Sequence, residues 1–277
     1  MRPTRPLLTA AAALLALCGS TAAAQGRQPA PHPGPGAARA AESLTYVTGA
    51  PVDVPWEIRV LRTAKATCPA GQTPTGGGMT TSPKWFRFTI SSSYASGRDW
   101  IVTGNNEDTL NSGTISATVV CSPNAHHQVF GSPVTVQTLE VAYLHQRCPA
   151  GEVPTGGGGR GQSQGMVLQN SLQNLNAWEA AYLNDTGAPR TGEPFVVCSA
   201  APHHLVPGRS GPVTKWGGTG TSWVQCPPGQ QVTGGGGAGP GTVLVQSTFE
   251  NNGWRVTSMN QTNDQQQVAA FAVCTGS

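Results

Sequence analysis

Charge is scarce in this 277-residue sequence: Asp, Glu, Lys and Arg together make up 10% of it, and lysine occurs only at Lys65, Lys84 and Lys215. A protein that binds nucleic acid through its phosphates needs a dense basic face. A net charge of +3 spread over the whole chain provides none, so nucleic acid is not an expected partner. Long apolar runs are equally scarce. Beyond the N-terminal stretch, nothing approaches the roughly 20 apolar residues that cross a bilayer as a helix, and no membrane partner is expected. Nor does any stretch carry apolar residues at helical spacing, which sets helical folds aside.

The N-terminal stretch is MRPTRPLLTAAAALLALCGSTAAAQ, with Arg2 and Arg5 ahead of an apolar run from Leu7 to Leu17 and small residues at Ala22 and Ala24. That order predicts an export signal over residues 1–24, cut after Ala24. Leu17 before Cys18 is too large for a lipoprotein signal, so a released, extracellular protein is expected. Residues 25–43 follow, with QGRQPAPHPGPGAARAAE at their head. This Pro, Ala and Gly composition predicts a flexible arm. It is a spacer, or a tether that orders in a partner's groove.

What the chain has in abundance is repetition. CPAGQTPTGGG opens at Cys68, CPAGEVPTGGGG at Cys148 and CPPGQQVTGGGG at Cys226. Each phrase follows a Pro-Val step (Pro51, Pro133, Pro212) and places a threonine before its glycines, at Thr75, Thr155 and Thr233. Further on, Ser93, Ser171 and Ser247 each stand seven residues before Trp100, Trp178 and Trp254. Asn106, Asn184 and Asn260 each follow their tryptophan by six, and each copy ends on Val-Cys, at Cys121, Cys198 and Cys274. Opening cysteines are 80 and 78 residues apart, closing ones 77 and 76. Such a period is the signature of tandem structural units: repeat 1 over residues 44–127, repeat 2 over 128–204, repeat 3 over 205–277.

Six cysteines remain once Cys18 leaves with the signal, an even number in an exported chain, which predicts a disulfide framework. The repeat favours one bridge within each copy, Cys68–Cys121, Cys148–Cys198 and Cys226–Cys274. Pairing closing cysteines with the next opening ones is the alternative. A bridge closing about 50 residues stabilises by on the order of 4 kcal/mol in the chain-entropy model. Between landmarks, segments such as MVLQNSL, FVVC, TVLVQSTF and WRVTSMN are short, partly β-branched and punctuated by Gly, Asn and Pro, as strands are. The expectation is an all-β fold with about four strands per copy. Its arrangement is a pseudo-threefold β-prism, each copy giving one face, with the three tryptophans near the shared core and the matched asparagines in the repeat core. A β-trefoil and three separate small sandwiches stand as alternatives.

The glycine clusters invite a phosphate-binding reading, which context rejects. No Gly-Lys-Ser/Thr follows any copy, and the G-x-G-x-x-G match from Gly156 to Gly161 opens no helix. The clusters are read instead as structural corners between strands. GQSQG, from Gly161 to Gly165, matches the nucleophile elbow around Ser163, yet polyglycine precedes it and a strand follows. His126-His127 and His203-His204 could supply metal ligands. Neighbours on an extended chain face opposite ways, however, and the equivalent place in the first copy holds Leu44, Thr45 and Tyr46. Asp99, Glu179 and Asn252 beside the tryptophans share no chemistry, and Asp108, Asp185 and Asp264 sit in turns where Asx residues bond their own backbone. No acid–base pair, metal or cofactor is implied, and the chain is read as not an enzyme.

Two binding classes remain: an assembly protein that joins other secreted proteins, and a lectin-like carbohydrate binder. Exposed aromatics favour the second, and Trp85 and Trp216, which have no counterparts in the other copies, are candidates for the surface. The C-P-x-G phrase, glycine cluster and terminal Val-Cys resemble those of small secreted actinobacterial proteins with threefold Cys/Gly repeats. They are also similar to the β-prism repeats of vitelline membrane outer layer proteins. The overall layout, an exported repeat fold with a mobile arm, resembles the bridging subunits of umbrella toxin particles. That resemblance implies a connector between a stalk-bearing toxin chain and lectin-bearing subunits, with no toxin activity of its own. Assembly is therefore placed ahead of sugar binding.

Overall fold

The computed structural model describes residues 43–56, 60–82, 87–108 and 110–276. The expected export signal, the expected arm up to residue 42 and Trp85 lie outside the described residues. Among the described residues the structure is all β. The first copy supplies β1 (Thr45–Thr48), β2 (Val52–Val54), β3 (Arg62–Thr67), β4 (Thr73–Ser82), β5 (Phe88–Ser96), β6 (Asp99–Asn106) and β7 (Gly113–Ser122). The second supplies β8 (His127–Phe130), β9 (Val134–Val136), β10 (Val141–Arg147), β11 (Val153–Gly161), β12 (Met166–Asn174), β13 (Ala177–Asn184) and β14 (Arg190–Ser199). The third supplies β15 (His203–Pro207), β16 (Gly211–Val213), β17 (Thr219–Gln225), β18 (Val232–Ala238), β19 (Thr242–Glu250), β20 (Gly253–Asn260) and β21 (Gln266–Thr275). Each copy thus has more strands than the four expected. The additional ones are short or polar, such as VDV and RTAKAT, and leave little periodic trace. Copies two and three begin their first strands at His127 and His203, so boundaries at 127/128 and 204/205 would cut those strands.

The strands form three antiparallel seven-stranded sheets, and every sheet draws on two copies. Sheet I runs β1-β7-β4-β19-β20-β17 with β2 also on β7. Sheet II runs β8-β14-β11-β5-β6-β3 with β9 also on β14. Sheet III runs β15-β21-β18-β12-β13-β10 with β16 also on β21. Each copy therefore gives four strands to one sheet and three to the next, and the third copy closes the ring by pairing with the first. This is a pseudo-threefold prism-like arrangement. Separate sandwiches on a string are excluded by the exchange of strands.

Each element of the repeated phrase has a place in this closure. C-P-x-G makes a tight turn: the N–H groups of Gln72, Glu152 and Gln230 donate to the carbonyls of Pro69, Pro149 and Pro227 at 3.1, 3.2 and 3.1 Å. Gly71, Gly151 and Gly229 hold φ of 79°, 84° and 82° at the third turn position, where a type II turn requires positive φ. The glycine clusters are not corners. They lie inside β4, β11 and β18, because three strands must converge there on one axis. At that axis Thr75 Oγ1 donates to the Thr233 carbonyl at 2.6 Å, Thr155 Oγ1 to Thr75 at 2.8 Å, and Thr233 Oγ1 to Thr155 at 3.3 Å. A Cβ on Gly76 would stand 2.6 Å from Gly234 Cα, and one on Gly156 2.6 Å from Gly76 Cα. Only glycine permits that approach.

The next glycine of each cluster seats a tryptophan from a neighbouring sheet. Trp100 of β6 lies on Gly77 of β4, Trp178 of β13 on Gly157 of β11, and Trp254 of β20 on Gly235 of β18. All three rings are fully buried. Their Nε1–H groups donate to Ser93, Ser171 and Ser247 Oγ at 3.0, 2.9 and 2.8 Å, which explains the fixed Ser–Trp spacing. The disulfides Cys68–Cys121, Cys148–Cys198 and Cys226–Cys274 each join the end of one sheet's outer strand to a strand of the adjacent sheet. Three bridges of this kind belong to an oxidising compartment. Since Trp178 fills a space between two sheets, Trp178→Ala should cost about 3–5 kcal/mol, as buried aromatic truncations do. Chemical denaturation of the two proteins measures this directly.

Candidate functional site

The two ends of the prism differ. Met79 of β4 pairs with Ser247 of β19. Thr75 lies four residues from that pair in one direction and Val243 four in the other. At ~3.3 Å per residue, the threonine ring and Val243 are about 25 Å apart along the sheet. The threonine end is closed. Beside it His126 and His203 meet edge to face with ring centroids 6.3 Å apart. Their Nδ1 atoms lie 3.0 and 2.9 Å from the carbonyls of Asn124 and Ala201. His127 turns away to Glu152, 2.6 Å distant. One histidine of each pair thus faces inward, with Leu44 at the third equivalent place. Among the described residues no three His, Cys, Asp or Glu side chains gather as metal ligands.

The opposite end is open. A cavity of about 510 Å³ lies there, lined by equivalent residues of all three copies, so the pseudo-threefold axis runs through it. Thr89, Val167 and Val243, near the starts of β5, β12 and β19, form its floor, with Leu183 and Met259 beside them. Glu107, Asp185 and Gln261, each one residue past a repeat asparagine, stand around it with Arg87. The asparagines hold this end together. Asn106 Nδ2 donates to the carbonyls of Pro55 and Asn111 at 3.0 and 2.8 Å. Asn184 donates likewise to Val136 and Ala188, both at 2.9 Å, and Asn260 to Thr214 and Asp264 at 2.9 and 2.7 Å. Each Asn side chain thus pins two loops to a strand end, satisfying backbone groups that would otherwise lack partners.

Those pinned loops carry exposed apolar side chains: Trp56 (57% exposed), Leu110 (84%), Leu139 (70%) and Trp216 (60%). Leu139 holds φ of 59°, where its counterpart Gly217 holds 72°. The equivalence is fixed by matching bonds, Leu139 N–H to the Asn184 carbonyl and Gly217 N–H to that of Asn260, both at 2.8 Å. A leucine in left-handed backbone is costly, and here the side chain it carries is turned to solvent. The sequence points to the asparagines by their repetition and to Trp216 as an unmatched surface residue, but not to Trp56, Leu110 and Leu139, which differ in every copy. Their signal is that disagreement, confined to positions flanked by agreement.

The remaining sequence candidates are accounted for locally. Ser163 lies in the turn between β11 and β12, its carbonyl accepting the Met166 N–H at 3.3 Å, and a strand follows it. Asp99 pairs with Lys65 at 3.1 Å, Glu179 with His145 at 3.1 Å, and Asn252 Oδ1 accepts the Val232 N–H at 3.0 Å. Asp108 accepts the Leu110 N–H at 2.8 Å, and that bond, with those from Asn111, holds its carboxyl below the usual aspartate range. Burial, then the Glu193 carboxylate, pushes the Tyr182 phenol far above the ordinary tyrosine value, so it stays protonated. No known protein family matches the chain, and no curated protein matches it.

Proposed function

We propose that this is a secreted, extracellular, non-catalytic assembly protein: an adaptor that joins subunits of a larger secreted complex, of the kind formed by toxin particles, through the open end of its prism. The observation that carries the reading is the concentration of exposed Trp56, Leu110, Leu139 and Trp216 on the loops that the repeat asparagines pin at one end, with Leu139 and Trp216 lining the axial cavity there. Exposed apolar groups gathered on one face mark protein interaction sites, and tryptophan is the residue most enriched among binding hot spots. The strained Leu139 fits the same role, because strain persists at functional sites where the side chain is needed. A connector also needs a second attachment point. Thr45 of β1 pairs with Cys121, so the chain joins the fold at the closed end, and the preceding arm supplies the other contact. No nucleic-acid or membrane partner belongs to this proposal.

The test is co-purification from culture supernatant with the wild type, a Trp216→Ala/Leu139→Gly variant and a protein lacking residues 25–43. Trp216→Ala, at an exposed site, should change stability by about 0.5 kcal/mol or less. Leu139→Gly should leave it unchanged or raise it by up to about 1 kcal/mol, since glycine suits positive φ. Recovery of one partner should nonetheless fall about tenfold or more in the double variant, the arm-deleted protein losing a different one. Equal recovery of all partners by the three proteins would remove both ends from the mechanism.

A further inference from the structure

The three sheets are built alike, yet the outer face of sheet III departs from the others at one place. On sheet II, Arg160 and Glu193 pair across β11 and β14, with the guanidinium 5.7 and 5.2 Å from the ring centroids of Tyr94 and Phe130. The equivalent pair on sheet I is Thr80 and Ser116. On sheet III it is Ala238 and Ala269, whose small side chains leave a groove of about 490 Å³. That volume lies within the ~300–1,000 Å³ range of small-molecule sites.

The walls of the groove also differ from those of the other sheets at most positions, although Gln246 of sheet I matches Asn170 as an amide. Tyr143 of β10, 59% exposed, stands on one side. Its counterparts Thr63 and Thr221 are instead bonded to Thr103 and Thr257 at 3.2 and 3.0 Å. Gln169 and Asn170 of β12 replace Ser91 and Ser92 of the first copy. Gln265, Gln266 and Gln267 occupy the place that Pro189, Arg190 and Thr191 hold in the second. None of the lining residues is charged. Asn170 makes only bonds at the outer limit, accepting from Gly239 N–H at 3.4 Å and donating to Glu179 at 3.5 Å, which leaves it able to bond a ligand more strongly.

From this convergence we infer that the groove on sheet III binds a neutral saccharide. Each amide offers both donors and an acceptor, matching hydroxyls that do both. The Tyr143 ring offers an apolar plate for the C–H face of a pyranose and keeps a polar tip. An ionic ligand would lose hydration with no opposite charge in the groove to replace it. This site stands on different residues from the open end and does not depend on it.

The probes are maltose, cellobiose and N,N′-diacetylchitobiose, followed by protein-observed NMR titration, and starch, cellulose and chitin, followed by co-sedimentation. A glucuronate disaccharide is the anionic control. At least one neutral sugar or its polymer should bind, and more tightly than the control. Tyr143→Ala, at an exposed position, should weaken that binding tenfold or more with an unchanged melting temperature. Ala238→Arg combined with Ala269→Glu, which copies the sheet II pair into the groove, should do the same. Binding of a disaccharide identifies a free sugar or chain end as the ligand, whereas binding of the polymer alone identifies an extended chain. Absence of binding to all six probes, or less than a twofold change with Tyr143→Ala, would overturn the inference.

Discussion

Residues 127–202 produced alone, a complete second copy by its strands β8 to β14, should be unfolded. In the intact protein, strand β11 pairs on one side with β14 of its own copy and on the other with β5 of the first. Strand β12 pairs with β13 and with β18 of the third. An excised copy keeps two partial sheets joined by Cys148–Cys198 but loses one neighbour from each. Its buried apolar groups lose their cover as well. Phe195 packs against Trp100 of the first copy with ring centroids 6.0 Å apart, and Trp178 shares its cluster with Val273 of the third. Domains of this size are marginal even with a complete core, and the excised copy would have to order itself with part of that core uncovered. Near-ultraviolet circular dichroism and amide dispersion in NMR should show no fixed tertiary structure with the disulfide intact. A cooperative thermal transition from the isolated copy would mean that the exchanged strands are dispensable.

Gly236→Ala should severely destabilise the whole protein. The third glycine of each cluster sits where sheets change copy: a Cβ on Gly78, Gly158 or Gly236 would lie closer to the carbonyl oxygen of Ser247, Ser93 or Ser171 than any non-bonded contact allows. Those atoms are backbone, so no rotamer change relieves the clash. Ser171 also accepts the Trp178 bond, and displacing it would disturb the buried indole. The cost should reach about 4 kcal/mol or more, the range kept for disrupted cores, out of the 5–15 kcal/mol typical of a native protein. Gly187→Ala is the control, because a Cβ there meets nothing within 4 Å. Soluble yield and urea midpoints should separate the two. A Gly236→Ala protein with a wild-type midpoint would show that the strands at this join can move apart.

Much of this fold was legible as repetition. The cysteine pairs, the Ser–Trp spacing and the asparagines recur because each performs the same task three times, and the disulfides join the cysteines that the repeat pairs. What repetition conceals is which copy bonds to which. Ser171 meets Gly237 of the following copy, but threefold similarity makes pairing within a copy and pairing between copies look the same in sequence. The glycine clusters misled for a related reason. Polyglycine reads as a turn, and only the approach of Gly76, Gly156 and Gly234 to a common axis gives it a reason to lie in strands. Trp216 was legible as an unmatched surface candidate, but the rest of the open end and the sheet III groove were hidden because their residues, such as Leu139 and Tyr143, are not repeated. A search for agreement passes over them.

The pairing of the first copy with the last also sets an order of events. Met79 waits for Ser247, and until β19 arrives the inner edge of β4 has no partner. A chain emerging N-terminus first from a ribosome cannot complete its first sheet while its last residues are still held. Contacts so distant in sequence make folding slow. Oxidation of Cys68 with Cys121 can come first, but closure of the ring depends on residues 242–250.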